Sequence, residues 1–354
     1  MGGGNIGTQF AVHCAEMNAD VTIYTSRYQE FKNPLSVVDL DGNIIHEGFI
    51  RKATNDVKEA FADADIIFVT VPAQIMREVA KKIEPFAKVG KMIGIIPGAG
   101  GSEFAFGNCR DKGAIVFGLQ RVPAIARIVT YGKSVMATGY REELFLSAIN
   151  TENNTECCKI ISELFASSCE GMPNYLSILL TPSNSILHTT RLSVIFKEYK
   201  RGIRYSRVKL FYREWEDESS ELMLRCDEEL QRICNKMEDF DLTYAKSLKV
   251  HYDVSDAKGL TEKIQSIEGF KSIKTPMVQV KGGWLPEFSS RYFVADFSFG
   301  LAILIQIAKF VDVDVPTMRG VYKWFDELGT KCEKFDFAEY GINSYEDLRR
   351  FYQE

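Results

Sequence analysis

Histidine is the side chain best suited to proton transfer near neutral pH, and the chain contains four. One of them, His188, lies in LLTPSNSILHTT, where Pro182 and Ser183 are typical of a helix start. Such a helix would place Asn184 and His188 four residues apart on one face. A buried core histidine would show the same spacing, so the pattern alone leaves the role of His188 open. The other histidines have settings typical of structural or exposed residues: His13, His46 and His251.

The chain opens with MGGGNIGTQF, in which Gly2, Gly4 and Gly7 satisfy the spacing G-x-G-x-x-G. Glycines at these positions permit a tight turn and let a dinucleotide pyrophosphate approach the backbone at a helix N-terminus. A flexible glycine-rich terminus is the alternative, but a helix and then a strand follow, as at the first crossover of a Rossmann domain. We predict that five residues of this loop contact the cofactor: Gly2, Gly4, Asn5, Ile6 and Gly7.

A Rossmann domain also needs a central strand before its glycine loop, and this sequence has only Met1 there. Such a strand would contain about five or six residues. We therefore expect that the first strand is missing and that Met1 is an internal methionine of a longer product. An in-frame stop codon just upstream, with no codons for apolar residues in between, would contradict this interpretation.

The end of the second Rossmann strand indicates which cofactor the domain prefers. An acidic residue there accepts bonds from the ribose 2′-hydroxyl of NAD, whereas arginine or serine can bind the 2′-phosphate of NADP. The stretch IYTSRYQEF carries Ser26 and Arg27, with no carboxylate before Glu30. The sequence therefore favours NADP(H), with NAD(H) as the alternative if Arg27 is only an exposed surface charge. We also assign Pro72, near the end of the segment IIFVTVPA, to the cofactor site.

The elements that must position these residues fall into two groups. In the first half, strands alternate with helices as in a doubly wound sheet, and VVDLDGNIIHEG predicts a hairpin at Asp41-Gly42. The other predicted strands are DVTIYT, IIFVTVPA, MIGIIPGAGG, AIVFGLQRVP and ARIVTYG. From about Ser183 the apolar spacing is helical, with no β alternation. We predict an α/β Rossmann-type domain at 1–180 and a mainly α-helical domain at 181–354.

Composition and charge narrow the class of partner. With 45% hydrophobic residues the chain can bury a large core, and its net charge of -5 offers no attraction to nucleic acid or anionic lipid. We find no run of about 18 apolar residues and no leader, so we expect a cytoplasmic protein with no membrane partner. Its eight cysteines form no C-x-x-C pair, which favours reduced thiols and no metal site.

Several segments resemble the opine dehydrogenases, the octopine/nopaline dehydrogenase family, over nearly the full length of the chain. They are NSILH, GGWLPEFSSRYFVADFSFGL, IIPGAGGSEF, RVPAIARI and the glycine motif. The most specific pieces are the Asn-x-x-x-His of NSILH and an Arg-Tyr-x-x-x-Asp about a hundred residues later. The resemblance implies a helical C-terminal domain like that of 6-phosphogluconate dehydrogenases. Many relatives have Ile-Pro-Tyr after the aspartate, where this chain has DFSFGL.

The resemblance also implies an activity: a 2-oxo acid condenses with the amine of an amino acid, and NAD(P)H reduces the imine. His188 and Asp296 would then form the acid/base pair. Both substrates carry carboxylates, which arginine binds bidentately. The implied substrate contacts are Asn184, Arg291 and Arg127. Arg121, at a position that often holds threonine in better-known members, and Trp284, chosen by its neighbourhood in the sequence, are further candidates. Two alternatives remain: a reductase of a simple 2-oxo or 2-hydroxy acid, and an inactive nucleotide-binding protein. The sequence leaves the oligomeric state open, with a homodimer as one option.

Overall fold

A computed structural model describes residues 1–182, 184–330 and 332–353. The predicted helix start at Ser183 therefore lies outside the described residues. The chain divides into two compact units, Met1–Leu179 and Leu180–Glu354, and each is described by itself.

The first unit contains most of the β-structure. Its strands are β1 (Thr22–Tyr24), β2 (Leu35–Val38), β3 (Ile44–Gly48), β4 (Lys52–Thr54), β5 (Ile66–Val69), β6 (Met92–Ile95), β7 (Ile115–Leu119), β8 (Ile125–Thr130), β9 (Ser134–Thr138), β10 (Glu143–Ala148) and β11 (Ser168–Gly171). Its helices are α1 (Asn5–Glu16), α2 (Val57–Phe61), α3 (Met76–Ile83), α4 (Ser102–Ala105), α5 (Gly107–Asp111), α6 (Asn154–Phe165) and α7 (Leu176–Leu179).

The main sheet of this unit has the order β11-β10-β7-β6-β5. Strands β5, β6 and β7 are parallel, and β10 runs antiparallel to β7. Every residue of β6 is buried, as expected for a parallel strand that is covered on both faces. The predicted alternation of strands and helices is confirmed here, although the sequence did not predict β10 or β11.

Met1 and Gly2 connect this sheet to the parallel pair β1-β4. The Gly2 amide donates to the Tyr24 carbonyl at 3.0 Å, and the Thr70 amide donates to the Met1 carbonyl at 3.0 Å. The Met1 amino group donates to the Phe68 carbonyl at 2.7 Å. Met1 and Gly2 thus form backbone hydrogen bonds to the chain on both sides, at the position where a Rossmann domain has its first strand. The expectation that a strand precedes them stays a prediction.

A second sheet, with the order β3-β2-β9-β8, packs beside helix α1. The predicted hairpin is confirmed as β2 and β3, with Gly42 at φ 87° in its turn. The segment ARIVTYG forms β8 as expected, but β8 belongs to this sheet and not to the main one. Its side chains are only partly buried, which suits an antiparallel strand with one solvated face.

The second unit is mainly helical, as predicted. Its helices are α8 (Asn184–Ile195), α9 (Asp217–Lys236), α10 (Leu248–Tyr252), α11 (Ala257–Ser266), α12 (Arg291–Asp296), α13 (Ala302–Phe310), α14 (Pro316–Glu327) and α15 (Tyr345–Gln353). The unit also contains an antiparallel hairpin that the sequence pattern did not indicate, formed by β12 (Met277–Val280) and β13 (Gly283–Pro286). Gly282 and Gly283 have positive φ angles of 86° and 141°, which glycine adopts readily, and so allow this tight turn.

Helices α12 and α13 are joined by a π-helical segment, Phe297–Leu301. By length and composition the combined run Arg291–Phe310 could cross a membrane, contrary to the expectation that the sequence contains no such run. More than half of its apolar window is buried, and Phe297 and Ile307 are fully enclosed. A buried core helix meets the same criteria, so this run does not by itself indicate a membrane span.

Candidate active site

His188 and Asp296 are in direct contact within the second unit. Helix α8 carries the histidine, and helix α12 ends at the aspartate, 108 residues later in the chain. His188 Nδ1 lies 2.7 Å from Asp296 Oδ2, and the histidine is 1% exposed. Because a carboxylate only accepts, Nδ1 donates its hydrogen to Asp296 and the neutral ring keeps Nε2 as an acceptor. Asp296 therefore fixes the tautomer and the orientation of the imidazole.

A third residue, Tyr212, completes a buried chain of hydrogen bonds. Its hydroxyl lies 2.7 Å from His188 Nε2. Since Nε2 is the acceptor of the neutral ring, the tyrosine donates this bond. Burial raises the pKa of Tyr212 well above its ordinary value, so the hydroxyl keeps its proton. In the described structure both ring nitrogens of His188 thus have partners, Asp296 on one side and Tyr212 on the other.

Aromatic rings hold Tyr212 and His188 in place. The Tyr212 ring stacks on Phe270, with centroids 4.2 Å apart, and lies parallel to Trp215 at 6.2 Å. The His188 ring packs on Tyr292 at 4.3 Å. Sequence analysis missed Tyr212, whose segment FYREWEDESS ends in an acidic run. The aromatic residues that precede the acidic run in this segment were the sequence feature that could have identified it.

Arg191 anchors the segment that carries Tyr212. It lies one turn after His188 on α8 and is fully buried. Its Nε donates to the Phe211 carbonyl at 3.2 Å, and its Nη1 donates to Glu216 Oε2 at 3.0 Å. Burial lowers the pKa of Arg191, whereas Glu216 acts in the opposite direction. The arginine therefore ties both ends of the segment 211–216 to the helix that positions the histidine.

Gly300 allows the two helices of the pair to approach closely. A Cβ atom at this position would lie 2.7 Å from Ser185 Cβ, too close for a real contact. Ser185 lies about one turn before His188, and Gly300 lies about one turn after Asp296. The glycine thus permits the packing that places the two side chains within hydrogen-bond distance. π-helical segments such as this one are often found at functional sites.

Three predicted substrate contacts lie in the same unit as the pair. Arg291 and Asp296 are the first and last residues of α12, and the Arg291 guanidinium lies 5.3 Å from the Tyr292 ring centroid. Asn184 is the first residue of α8 and is exposed. Trp284 lies on β13, half-buried, with its backbone paired to Tyr205. Arg291 thus places a guanidinium on the helix that carries Asp296, and Asn184 places an amide on the helix that carries His188.

The other two arginines predicted to bind substrate lie in the first unit. Arg127 is on β8, where its Nη1 donates to the Ala126 carbonyl at 2.8 Å. Arg121 lies in the connection between β7 and β8 and is half-buried. Their assignment to substrate carboxylates stays a prediction.

The glycine loop fits a dinucleotide pyrophosphate. A Cβ atom at Gly7 would lie 1.9 Å from the Gly2 carbonyl oxygen, so only glycine permits this turn. At Gly4 a Cβ atom would meet no heavy atom within 4 Å, so the space beside the α1 N-terminus is open. The backbone amides of Asn5, Ile6 and Gly7 begin this helix, as an anion site requires. The Asn5 side chain is already engaged, since its Oδ1 accepts from the Ile128 amide at 2.8 Å.

The residues predicted to select the cofactor lie after β1. Arg27 makes two hydrogen bonds of 2.5 Å to the Glu30 carboxylate, and its guanidinium lies 3.6 Å from the Tyr131 ring centroid. The arginine is exposed and paired with Glu30 in the described structure, so its role in selecting the cofactor stays a prediction. Ser26 and Pro72 are both exposed.

Two family models match the chain, one on each unit. Residues 1–98 match the N-terminus of NAD-dependent glycerol-3-phosphate dehydrogenase, and residues 171–328 match the α-helical domain of NAD/NADP octopine/nopaline dehydrogenase. Tauropine dehydrogenase of Arabella iricolor is 25% identical over 78% of this chain and 74% of its own. Octopine dehydrogenase of Mizuhopecten yessoensis is 24% identical over 80% of this chain and 75% of its own.

Solved structures show the same fold. Octopine dehydrogenase with NADH and pyruvate superposes with a TM-score of 0.82 at 21% identity, over 98% of this chain and 96% of the other. Yersinopine dehydrogenase with NADP+ gives a TM-score of 0.65 at 13% identity, over 92% and 89%. Residues 171–328 thus form a helical domain of the octopine/nopaline dehydrogenase type, and the chain as a whole resembles the opine dehydrogenases, which are NAD(P)-dependent oxidoreductases.

Proposed function

We propose that this protein joins a 2-oxo acid to the amine of an amino acid and reduces the resulting imine, giving an N-(1-carboxyalkyl) amino acid. The observation that carries the proposal is the buried His188-Asp296 pair on helices α8 and α12 of the unit that matches the family's helical domain. One relative supports the substrate classes, because octopine dehydrogenase has been solved with pyruvate, with L-arginine and with agmatine.

In this mechanism His188 moves the protons and Asp296 supports it. The amine adds to the carbonyl carbon, and one amine proton passes to the oxygen to form a hydroxyl. The imidazolium form of His188 then donates its Nε2 hydrogen to this hydroxyl, which leaves as water, and the protonated imine remains. Asp296 stabilises the positive charge on the ring and keeps Nε2 directed away from itself. Bound NAD(P)H supplies the hydride that reduces the imine carbon. Because Tyr212 bonds to Nε2 in the described structure, the substrate oxygen must take the place of its hydroxyl.

Substrate carboxylates require cations in defined positions. Arg291 is exposed and has no ion pair among the described residues, so its guanidinium is free to bind a carboxylate with two parallel hydrogen bonds. It shares the short helix α12 with Asp296, which supports a role near the reacting atoms. Arg121 and Arg127 are proposed for the second carboxylate. Asn184 would orient a substrate or the nicotinamide amide, and Trp284 would pack on the amine substrate.

For the cofactor we propose NADP(H), with NAD(H) as the alternative. The pyrophosphate would lie on the amides of Asn5 to Gly7 at the start of α1. Arg27 and Ser26 would bind the 2′-phosphate, for which Arg27 must exchange its Glu30 partner. Relatives support both cofactors, because octopine dehydrogenase was solved with NADH and yersinopine dehydrogenase with NADP+.

The identity of the product tests this function. After incubation with a 2-oxo acid, an amino acid and NADPH, mass spectrometry should detect a secondary amine that incorporates 15N from the labelled amino acid. A 2-hydroxy acid without 15N would instead identify a reductase of simple 2-oxo acids. No product from a folded protein that binds cofactor would identify an inactive nucleotide-binding protein.

A further inference from the structure

Three side chains with metal-binding atoms lie together in the first unit. The candidate ligand atoms of His13, Glu16 and His46 are all within 4.8 Å of one another. His46 Nδ1 lies 2.8 Å from Glu16 Oε2, and the two imidazole centroids are 4.3 Å apart. Two imidazoles and one carboxylate form a ligand set that Zn²⁺ and related divalent ions accept.

The fold brings these residues together through one close contact between a helix and a strand. His13 and Glu16 lie three residues apart on α1, so they occupy one face. His46 lies on β3, which packs against that face. Gly48 permits the contact, because a Cβ atom there would lie 2.6 Å from Ala15 Cβ and 2.9 Å from the Val12 carbonyl oxygen. The cluster is therefore part of a packed interface within one unit.

The neighbouring groups orient the candidate ligands. Tyr140 Oη lies 3.2 Å from His13 Nε2. The Glu47 amide donates to Glu16 Oε1 at 3.1 Å, which leaves Oε2 directed at His46. Metal-binding histidines and carboxylates are usually held by such outer hydrogen bonds. Tyr140 Oη is also close enough to His13 to serve as a further oxygen ligand.

A buried polar atom beside the cluster adds an independent observation. Gln9 lies one turn before His13 on α1 and is fully buried. Its Nε2 donates to Tyr140 Oη at 3.3 Å, but its Oε1 has no hydrogen-bond partner among the described residues. A buried acceptor without a partner is unfavourable, and a metal-bound water is one group that could satisfy it.

We propose that His13, Glu16 and His46 bind one divalent ion of the zinc class. The ion would fasten the β2-β3 hairpin to α1, the helix that begins at the dinucleotide-binding glycines. Its binding would thus stabilise the unit that holds the cofactor, without contact with the reacting atoms. The sequence predicted no metal site because the ligands are divided between a helix and a strand, so they lack the short spacing of a metal motif.

The test is a titration of the full chain with Co²⁺ and with Zn²⁺ in the presence of a non-chelating reductant. We expect one ion per chain, visible Co²⁺ bands typical of nitrogen and oxygen ligands, and a higher melting temperature with Zn²⁺. His46→Gln and Glu16→Gln should each weaken binding at least tenfold. The matched control is His251→Gln in the second unit, which should bind like the wild type.

Glu16 is exposed and His46 is only partly buried, so their glutamine variants should fold, as circular dichroism and NADPH binding would verify. The proposal is overturned if no saturable one-to-one binding occurs. Equal affinity in the wild type and both glutamine variants would also overturn it. Near-ultraviolet thiolate bands from Co²⁺ would assign the binding to cysteines and exclude this cluster.

Discussion

The Tyr212 hydroxyl lies 2.7 Å from His188 Nε2, on the opposite side of the imidazole from Asp296. The tyrosine bonds to the nitrogen that would exchange a proton with substrate in the proposed mechanism. Its ring is fixed by stacking on Phe270, and its pKa is raised far above neutrality by burial. Because such a hydroxyl is a poor acid, we expect Tyr212 to orient the neutral histidine and not to transfer the proton itself.

Replacing Tyr212 with phenylalanine separates these two roles. Tyr212→Phe keeps the stacked ring and removes only the bond to Nε2. We expect kcat to stay within about tenfold of wild type, whereas His188→Gln should lower it by 10²-fold or more, the range for loss of a general acid/base. Steady-state kinetics of both variants makes the comparison. If Tyr212→Phe loses as much activity as His188→Gln, the tyrosine transfers the proton and our assignment is wrong.

Gly300 should be intolerant of a single methyl group. In Gly300→Ala the new Cβ would lie 2.7 Å from Ser185 Cβ and force α8 away from the π-helical segment. We expect a loss of about 1–3 kcal/mol in the free energy of unfolding, together with reduced turnover as Asp296 moves from His188.

Gly320→Ala on α14 is the matched control, because its Cβ would meet nothing within 4 Å. That variant should be as stable as wild type or gain up to about 1 kcal/mol. Denaturant unfolding measures both. Equal stability and activity of the two alanine variants would refute the role given to Gly300.

Arg27 should select the cofactor. Arg27→Ala removes the guanidinium that would bind the 2′-phosphate, so we expect KM for NADPH to rise at least tenfold, with little change for NADH. Glu30→Gln removes the competing carboxylate and should lower KM for NADPH. Both constants are measured with each cofactor. If KM changes by the same factor for NADPH and for NADH, Arg27 does not bind the 2′-phosphate.

Asp227 should make the stability of α9 depend on pH. Burial raises the pKa of Asp227 from 3.8 to about 6, although the Leu248 amide donates to its Oδ2 at 2.8 Å. The fold favours the protonated carboxyl, so the contribution of this group is fully present below about pH 4 and is lost as pH rises through 6. A shift of two pKa units corresponds to about 2–3 kcal/mol.

Asp227→Asn removes this titration. The stability of the variant minus that of wild type should therefore rise between pH 4 and pH 7, by up to about 2–3 kcal/mol. Native-state hydrogen exchange at the amides of α9 measures the difference at each pH, corrected for intrinsic rates. A difference that does not change with pH would exclude the raised pKa.

The parts of the fold that could be predicted are those whose sequence pattern matches their burial. β5 and β6 are apolar runs in a covered parallel sheet, and the β2-β3 hairpin has an Asp-Gly turn. The hairpin β12-β13 was missed because its strands have four residues each and no regular alternation of buried and exposed side chains. Trp284 of this hairpin also forms a β-bridge with Tyr205, a contact distant in the chain that the local sequence does not encode.

The candidate site was predictable only in part. His188 was singled out by its helical setting, but Asp296 was assigned from the family resemblance, since 108 residues separate the two. Tyr212 and Arg191 were missed because their roles arise from tertiary packing. In retrospect, the sequence feature that could have indicated this packing is Arg191, which follows His188 by three residues in an apolar helix. The structure shows that this arginine is buried.

The measurement that tests the central claim most directly is NAD(P)H oxidation with pooled 2-oxo acids, with and without pooled amino acids. We predict that oxidation requires both pools and falls at least 10²-fold in His188→Gln and Asp296→Asn, while cofactor binding is retained. Splitting the pools would then identify the two substrates. Oxidation with the 2-oxo acids alone, or activity that survives both substitutions, would contradict the account.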